Sequence, residues 1–378
     1  MASEDATRIA DAGPAPPSDG RAPRAKTTWG WKRIVGVVIS LAIVVGIFAY
    51  GVPRFASYGQ IADVLTALTW LEIGALVLAT VFNLVTYWWA NQAALPGLGI
   101  GKAATVTQAT TAVANTLPAG GAVAIGLTYA MLDSWGFSGT NVALFVGVTG
   151  IWNIFTKLGL PLLALGILAV TGHATPTYVA GAVIGLVVLA VAVTLLALLF
   201  RSEHFARAIG DGLARIVTVP RRWLRKPPVT GWGDAAAKFR TDTMGLVHRR
   251  WFRLSWTTVL SQVALFVVLL LSLRAVGISE QDISTAEVFA VYTFTRLLTA
   301  IPITPGGVGI VDLGLIGGLT FFDSSEKAAL AAGVLLFRAL TYVLPIPIGA
   351  AAYLIWRAKT GWRSEEGVAK QQAKKATA

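Results

Sequence analysis

The stretch TAEVFAVYTFTRLLTAIPITPGGVGIVDLGLIGGLT, residues 285–320, decides the fold. It runs apolar to Ile301, breaks at PITPGG (302–307) and then turns apolar again. Each half holds about 13–17 residues, short of the roughly 20 that carry a helix across a bilayer. Two such halves around a Pro-Gly tip form a re-entrant hairpin, tolerated at membrane depth where protein or a water-filled cavity satisfies the freed backbone groups. The alternative is a pair of short tilted helices that each cross fully. Residues 104–132 read the same way: polar Thr and Gln lead to Asn115, Pro118, Gly120 and Gly121, and apolar residues follow.

Outward from these two stretches lie the longer apolar runs. Residues 34–50, 70–90, 178–200 and 252–273 are of spanning length. Residues 141–171 and 328–356 are longer, and each is one tilted helix or a broken one, with Lys157, Gly159 and Pro161 interrupting the first and Pro345 and Pro347 the second. Composition agrees with a membrane bundle. The chain has 378 residues, 55% of them hydrophobic and 13% charged, and a mean hydropathy of +0.67. Soluble domains carry roughly 25% charged residues.

The net charge of +12 is clustered. The loop 201–253 holds twelve Lys/Arg and four Asp/Glu, and further basic residues flank both ends of the apolar region. An excess of Lys and Arg marks cytoplasmic loops, so both ends and this loop are expected inside. Six crossings and two hairpins satisfy every charge cluster. The hairpins then enter from opposite faces, the arrangement of an inverted repeat. NTLPAGG (115–121) and PITPGGVG (302–309) share a Pro and a Gly-Gly pair at the two tips. The expected fold is therefore all-α: a polytopic transmembrane helical bundle with two Pro/Gly-broken re-entrant hairpins in an inverted-repeat arrangement. Its parts are a disordered cytoplasmic tail (1–29), a transmembrane domain (30–358) containing the basic loop 201–251, and a basic cytoplasmic tail (359–378). The expected location is the plasma membrane. Within the loop, 205–217 and 235–250 resemble interfacial helices against an anionic leaflet, or are simply topology-setting charge.

Several function classes are weakened. With no Cys there is no disulfide, thiolate metal site or Cys nucleophile. His173, His204 and His248 lie far apart, so no metal or cofactor is expected. No paired carboxylates or catalytic set appear, and no catalytic residue is assigned. No soluble module exists to bind nucleic acid.

Charges inside a membrane are costly and mark candidate sites. Four stand out: Lys157, Arg296, Asp312 and Arg338. Helical rise places Arg296 and Arg338 near the midplane. They are expected to form one buried polar cluster with Asp312, with Tyr342 one turn below Arg338; the alternative is an ion pair that only fixes packing. Gly306, Gly307 and Gly309 precede a new helix, whose free amides suit an anion such as a lipid phosphate, although Asp312 in the first turn opposes this unless paired or protonated. The candidate substrate-binding set is Arg296, Pro305, Gly306, Gly307, Gly309, Asp312, Arg338 and Tyr342, with Pro118, Gly120 and Gly121 at the first tip.

LTAIPITPGGVGIVDLGLIGGL (298–319) and LLFRALTYVLPIPIGAAAYLIWR (335–357) closely resemble the lysylphosphatidylglycerol synthase transmembrane-region family, a flippase-like membrane domain. Gly306, Gly307, Gly309, Asp312 and Arg338 match its PGG-x-G-x-x-[DE] element and its Arg before a Thr-Tyr pair. NTLPAGGAVAIGLTYAMLDSWGFS (115–138) resembles its first-half motif, except that Ala122 to Thr128 lack the charges common there. The resemblance covers roughly 30–358. It implies translocation of anionic or lipid-linked substrates between leaflets. Fused synthases carry a soluble aminoacyl-transferase domain after this region; none is expected here, nor is aminoacyl transfer by this chain alone. The alternative function is a non-transporting partner of an enzyme of envelope-lipid biosynthesis, docked through the basic loop. Oligomeric state is not set by the sequence.

Overall fold

The computed structural model describes residues 58–117, 120–170, 201–223, 231–299, 305–322 and 325–362, with scattered positions between 187 and 198. The expected amino-terminal tail, the span 34–50, most of the span 178–200, Pro118 and most of the basic carboxyl tail lie outside the described residues. Eleven α-helices and no strand occur among them. In chain order these are α1 (Tyr58–Thr66), α2 (Trp70–Ala94), α3 (Ile100–Thr116), α4 (Gly120–Ser134), α5 (Gly139–Val170), α6 (Glu203–Trp223), α7 (Trp232–Ala275), α8 (Thr285–Leu298), α9 (Ile310–Phe322), α10 (Lys327–Arg338) and α11 (Pro345–Ala358).

Among the described residues, four helical segments are long and apolar enough to cross a membrane: Trp70–Ala94, Gly139–Val170, Arg249–Ala275 and Lys327–Ala358. Their faces are sorted as lipid demands. Leu78, Leu163 and Leu354 are well exposed, whereas Thr80, Asn83, Thr86, Ser261 and Gln262 are buried. With hydrocarbon as solvent, helices gain little from hiding Leu and more from small and polar contacts inside the bundle. Most buried hydroxyls are satisfied within their own helix. Thr80 donates to the Leu76 carbonyl at 2.7 Å and Ser272 to that of Val268 at 2.7 Å. Asn83 reaches between helices, donating to the Ser261 carbonyl at 3.1 Å and tying α2 to α7.

The two long apolar stretches resolve differently. α5 is one unbroken helix of 32 residues. Pro161 removes one rung of its ladder without ending it. The last stretch breaks, but ahead of its prolines: a π-helical turn, Ala339–Val343, separates α10 from α11, and Pro345 then opens α11, where a missing N–H costs nothing. The sequence also suggested a separate interfacial helix at 235–250. Instead α7 is a single helix of 44 residues, about 66 Å long, running from the basic loop through the membrane segment. No proline lies between Trp232 and Ala275 to stop it. α6 stays separate and packs along the arm of α7 that precedes Arg249. Arg207 joins them, 2.8 Å from Glu203 on its own helix and 3.1 Å from Asp234 on α7.

Both stretches expected to be hairpins are pairs of short helices packed on each other, α3 with α4 and α8 with α9. An apolar cluster forms around each. One joins Ala103, Val106, Met131, Leu132 and Val148. The other joins Leu269, Leu273, Tyr292, Leu315, Ile316 and Leu330. α11 crosses between the halves and lies on α3. Gly349 permits that contact, since a Cβ there would stand 2.1 Å from the Gln108 carbonyl oxygen.

Candidate functional site

Of the second tip, residues 302–304 lie outside the described residues; Pro305–Gly307 form a short helical turn, followed by Val308 and Gly309 before α9. Gly306 (φ 57°) and Gly309 (φ 86°) are left-handed, a region closed to most side chains. That turn lets Asp312 fold back. Its Oδ2 accepts the Gly309 N–H at 2.6 Å, capping α9 from within. The helix start is thus already filled by a carboxylate of this chain, and the expected cradle of free amides at Gly309 is occupied.

Asp312 is 1% exposed, and its second oxygen, Oδ1, lies 2.7 Å from Arg338 Nε. This ion pair joins α9 to the end of α10. The Arg338 Nη2 group donates to the Gly306 carbonyl at 3.4 Å, and the guanidinium carbon sits 4.6 Å from the centre of the Tyr342 ring. Tyr342 lies in the π-helical turn, close over Gly306, where a Cβ would meet its ring at 2.2 Å. Its hydroxyl donates to the Asn115 carbonyl, and the Asn115 amide donates back to the Tyr342 carbonyl at 3.2 Å. A chain of polar contacts therefore runs Asp312–Arg338–Tyr342–Asn115, from the second hairpin to the last turn of α3 in the first.

Beside this chain is a cavity of about 660 Å³. Arg338, Tyr342, Gly306, Asn115 and Gly121 line it, and so do Arg296 from α8 and Lys157 from α5. Asp312 and Arg338 are paired, but neither Lys157 nor Arg296 makes an ion pair among the described residues. The two lie within electrostatic reach of each other. Among the described residues, the buried Arg296 Nε meets no acceptor and Gln108 Oε1, on a side chain 3% exposed, meets no donor. A second hollow of about 520 Å³, bordered by Trp152, Phe155, Leu160 and Leu163, has no charged residue among the described residues that line it.

The structure thus brings Gly306, Asp312, Arg338 and Tyr342 together. Arg296 shares their cavity but stands outside the ion pair, which departs from the single cluster suggested by helical depth. Gly121 reaches the cavity. Gly120 does not line it and serves packing instead, since a Cβ there would stand 2.6 Å from the carbonyl oxygens of Val113 and Ala114. Lys157 was legible as an intramembrane charge, but its place opposite the hairpins was not. Gln108 and Asn115 were missed as lining residues. A polar side chain on an otherwise apolar or threonine-rich helix was the available signal.

The chain ion pairs and the cavity lie within the span of a family match. The model for the lysylphosphatidylglycerol synthase TM region matches residues 34–349. No curated protein matches the chain.

Proposed function

Because the chain belongs to the lysylphosphatidylglycerol synthase TM region family, a family of membrane regions distinct from the catalytic aminoacyl-transferase domain, we propose that it binds an anionic or lipid-linked headgroup in the central cavity and passes it between leaflets. In this reading it acts without catalysis of its own, in the plasma membrane, with both ends cytoplasmic. One observation carries it: the cavity presents two cations, Lys157 and Arg296, that no acid among the described residues neutralises. An intramembrane Lys or Arg costs about 2.5–3.5 kcal/mol on insertion scales. A packing role does not repay that cost when the charge has no partner, whereas an anionic ligand does. Motion of the hairpins would then open the cavity to each leaflet in turn.

The test is movement of a fluorescent anionic lipid across vesicles containing the purified protein, read by quenching from outside. Arg296→Gln keeps the size of the side chain and removes its charge. We expect at least about a tenfold loss of rate, equivalent to 1.4 kcal/mol or more, with helical content by circular dichroism unchanged. Wild-type rates in a folded Arg296→Gln protein would sink the assignment.

A further inference from the structure

The cavity's charges can be counted one by one. Among the described residues three cations line it, Lys157, Arg296 and Arg338. The acid that answers them is Asp312, held 2.7 Å from Arg338 Nε and anchored by the Gly309 amide. That pair is closed on itself. Arg338 also spends an N–H on the Gly306 carbonyl and its face on the Tyr342 ring. What remains for a ligand is Lys157 on α5 and Arg296 on α8, two positive charges from two helices that pack on each other.

We infer that the headgroup taken up here carries two negative charges on phosphate, as a phosphomonoester or a diphosphate, rather than the single charge of a phosphodiester. This rests on the proposed function, since it assumes that the cavity is the anion's seat. The physical reason is charge matching. In a site of low dielectric an uncompensated charge costs several kcal/mol, so a monoanion leaves either Lys157 or Arg296 unanswered. A dianion answers both. A phosphomonoester is close to doubly ionised at neutral pH, its second pKa being about 6, and it offers three strong acceptor oxygens. Those oxygens suit the buried Arg296 Nε that now meets no acceptor.

The same chemistry could arrive on a lipid or as free phosphate, and the experiment separates them. The full chain is placed in phosphatidylcholine nanodiscs with dioleoyl phosphatidic acid or dioleoyl phosphatidylglycerol, and lipid retention is measured by native mass spectrometry. Inorganic phosphate and pyrophosphate are tested in parallel by thermal shift. The expected result is that phosphatidic acid is held at least about tenfold more tightly than phosphatidylglycerol. Lys157→Gln and Arg296→Gln should each abolish that preference, and Lys157→Arg should keep it. A thermal shift with inorganic phosphate or pyrophosphate, without preferential retention of phosphatidic acid, would keep the dianion and assign the site to a free phosphate. Equal retention of the two lipids by the unmutated protein, lost in Arg296→Gln, would overturn the charge inference while leaving the anion site standing. Retention of neither, with no response to phosphate, would overturn both. The comparison in the unmutated protein decides the matter even if a variant fails to fold.

Discussion

The hairpin α3–α4 has no charged residue between Ala103 and Leu132, whereas α8–α9 carries Glu287, Arg296 and Asp312. Both are two short helices around a glycine-containing tip, and both reach the central cavity. The forces that hold them differ. In the first hairpin the constraints are steric: Gly120 sits against the carbonyls of Val113 and Ala114, and Gly349 of α11 sits against Gln108. In the second they are electrostatic, through Asp312, the Gly309 amide and Arg338. Close packing dominates at the first tip, beside the Asn115–Tyr342 bonds, and charge dominates at the second.

Breaking the pair is the harshest test of that contrast. Arg338→Ala leaves the Asp312 carboxylate buried without its cation, at a cost of about 3–5 kcal/mol. Thermal unfolding in detergent should show the loss. Asp312→Ala combined with Arg338→Ala should recover much of it, because the stranded charge is then gone. If Arg338→Ala unfolds at the wild-type temperature, charge does not hold the second hairpin.

The glycines come next. Gly306→Ala must accommodate both a φ of 57° and the Tyr342 ring 2.2 Å from the new Cβ. Gly120→Ala meets only crowding, with two carbonyl oxygens at 2.6 Å. Overpacking costs about 1–3 kcal/mol. Both variants should therefore lose stability. Only Gly306→Ala should also disturb the Tyr342–Asn115 bridge, read as a change in tyrosine fluorescence or in cross-linking between cysteines placed on α3 and the π-helical turn. Equal disturbance by both would mean that the tips are mechanically one unit.

This contrast was legible in part. The hairpins announced themselves because a Pro-Gly break between two short apolar runs is a local signal. Helical rise set only the depth of Arg296 and Arg338; the expected cluster of both with Asp312 reduces to the Asp312–Arg338 pair, with Arg296 apart from it. Lys157 was visible as a charge, but its neighbour was not, since Arg296 lies far along the chain and only packing of α5 on α8 unites them. Asn115 looked like a tip residue. Its reciprocal bonds with Tyr342 depend on a π-helical turn whose position no spacing rule reveals. The continuity of α7 was readable and was missed: charge changes along it, but nothing in the sequence breaks the helix.

The smallest expected effect lies where the chain approaches each hairpin. The second is reached through a polar loop. Arg274 donates to the carbonyls of Ile278 and Ile283 at 3.0 Å each and pairs with Glu280. Glu280 in turn accepts from the Thr285 N–H at 2.8 Å and its hydroxyl at 2.6 Å, while Ser284 and Glu287 form a capping box. These hydrogen bonds from Thr285, aided by the Arg274 charge, hold the Glu280 carboxyl below its ordinary 4.5. A folded-state value below the unfolded one means that the contribution is fully present above the unfolded pKa and fades as pH falls through the folded one. The first hairpin is reached through LPGLG (95–99), which has no acid, and α3 starts at Gly99 with no side-chain cap. Hydrogen exchange should therefore show the amides around 279–287 protected at pH 5 and above and opening as the pH drops below the carboxylate range, with 95–103 unaffected. Glu280→Gln should bring the acid behaviour to neutral pH. Because Glu280 is largely exposed, the change should stay local and leave global unfolding nearly unmoved. An equal acid response in both loops would remove the electrostatic distinction between the two hairpins at their base, even if it survives at their tips.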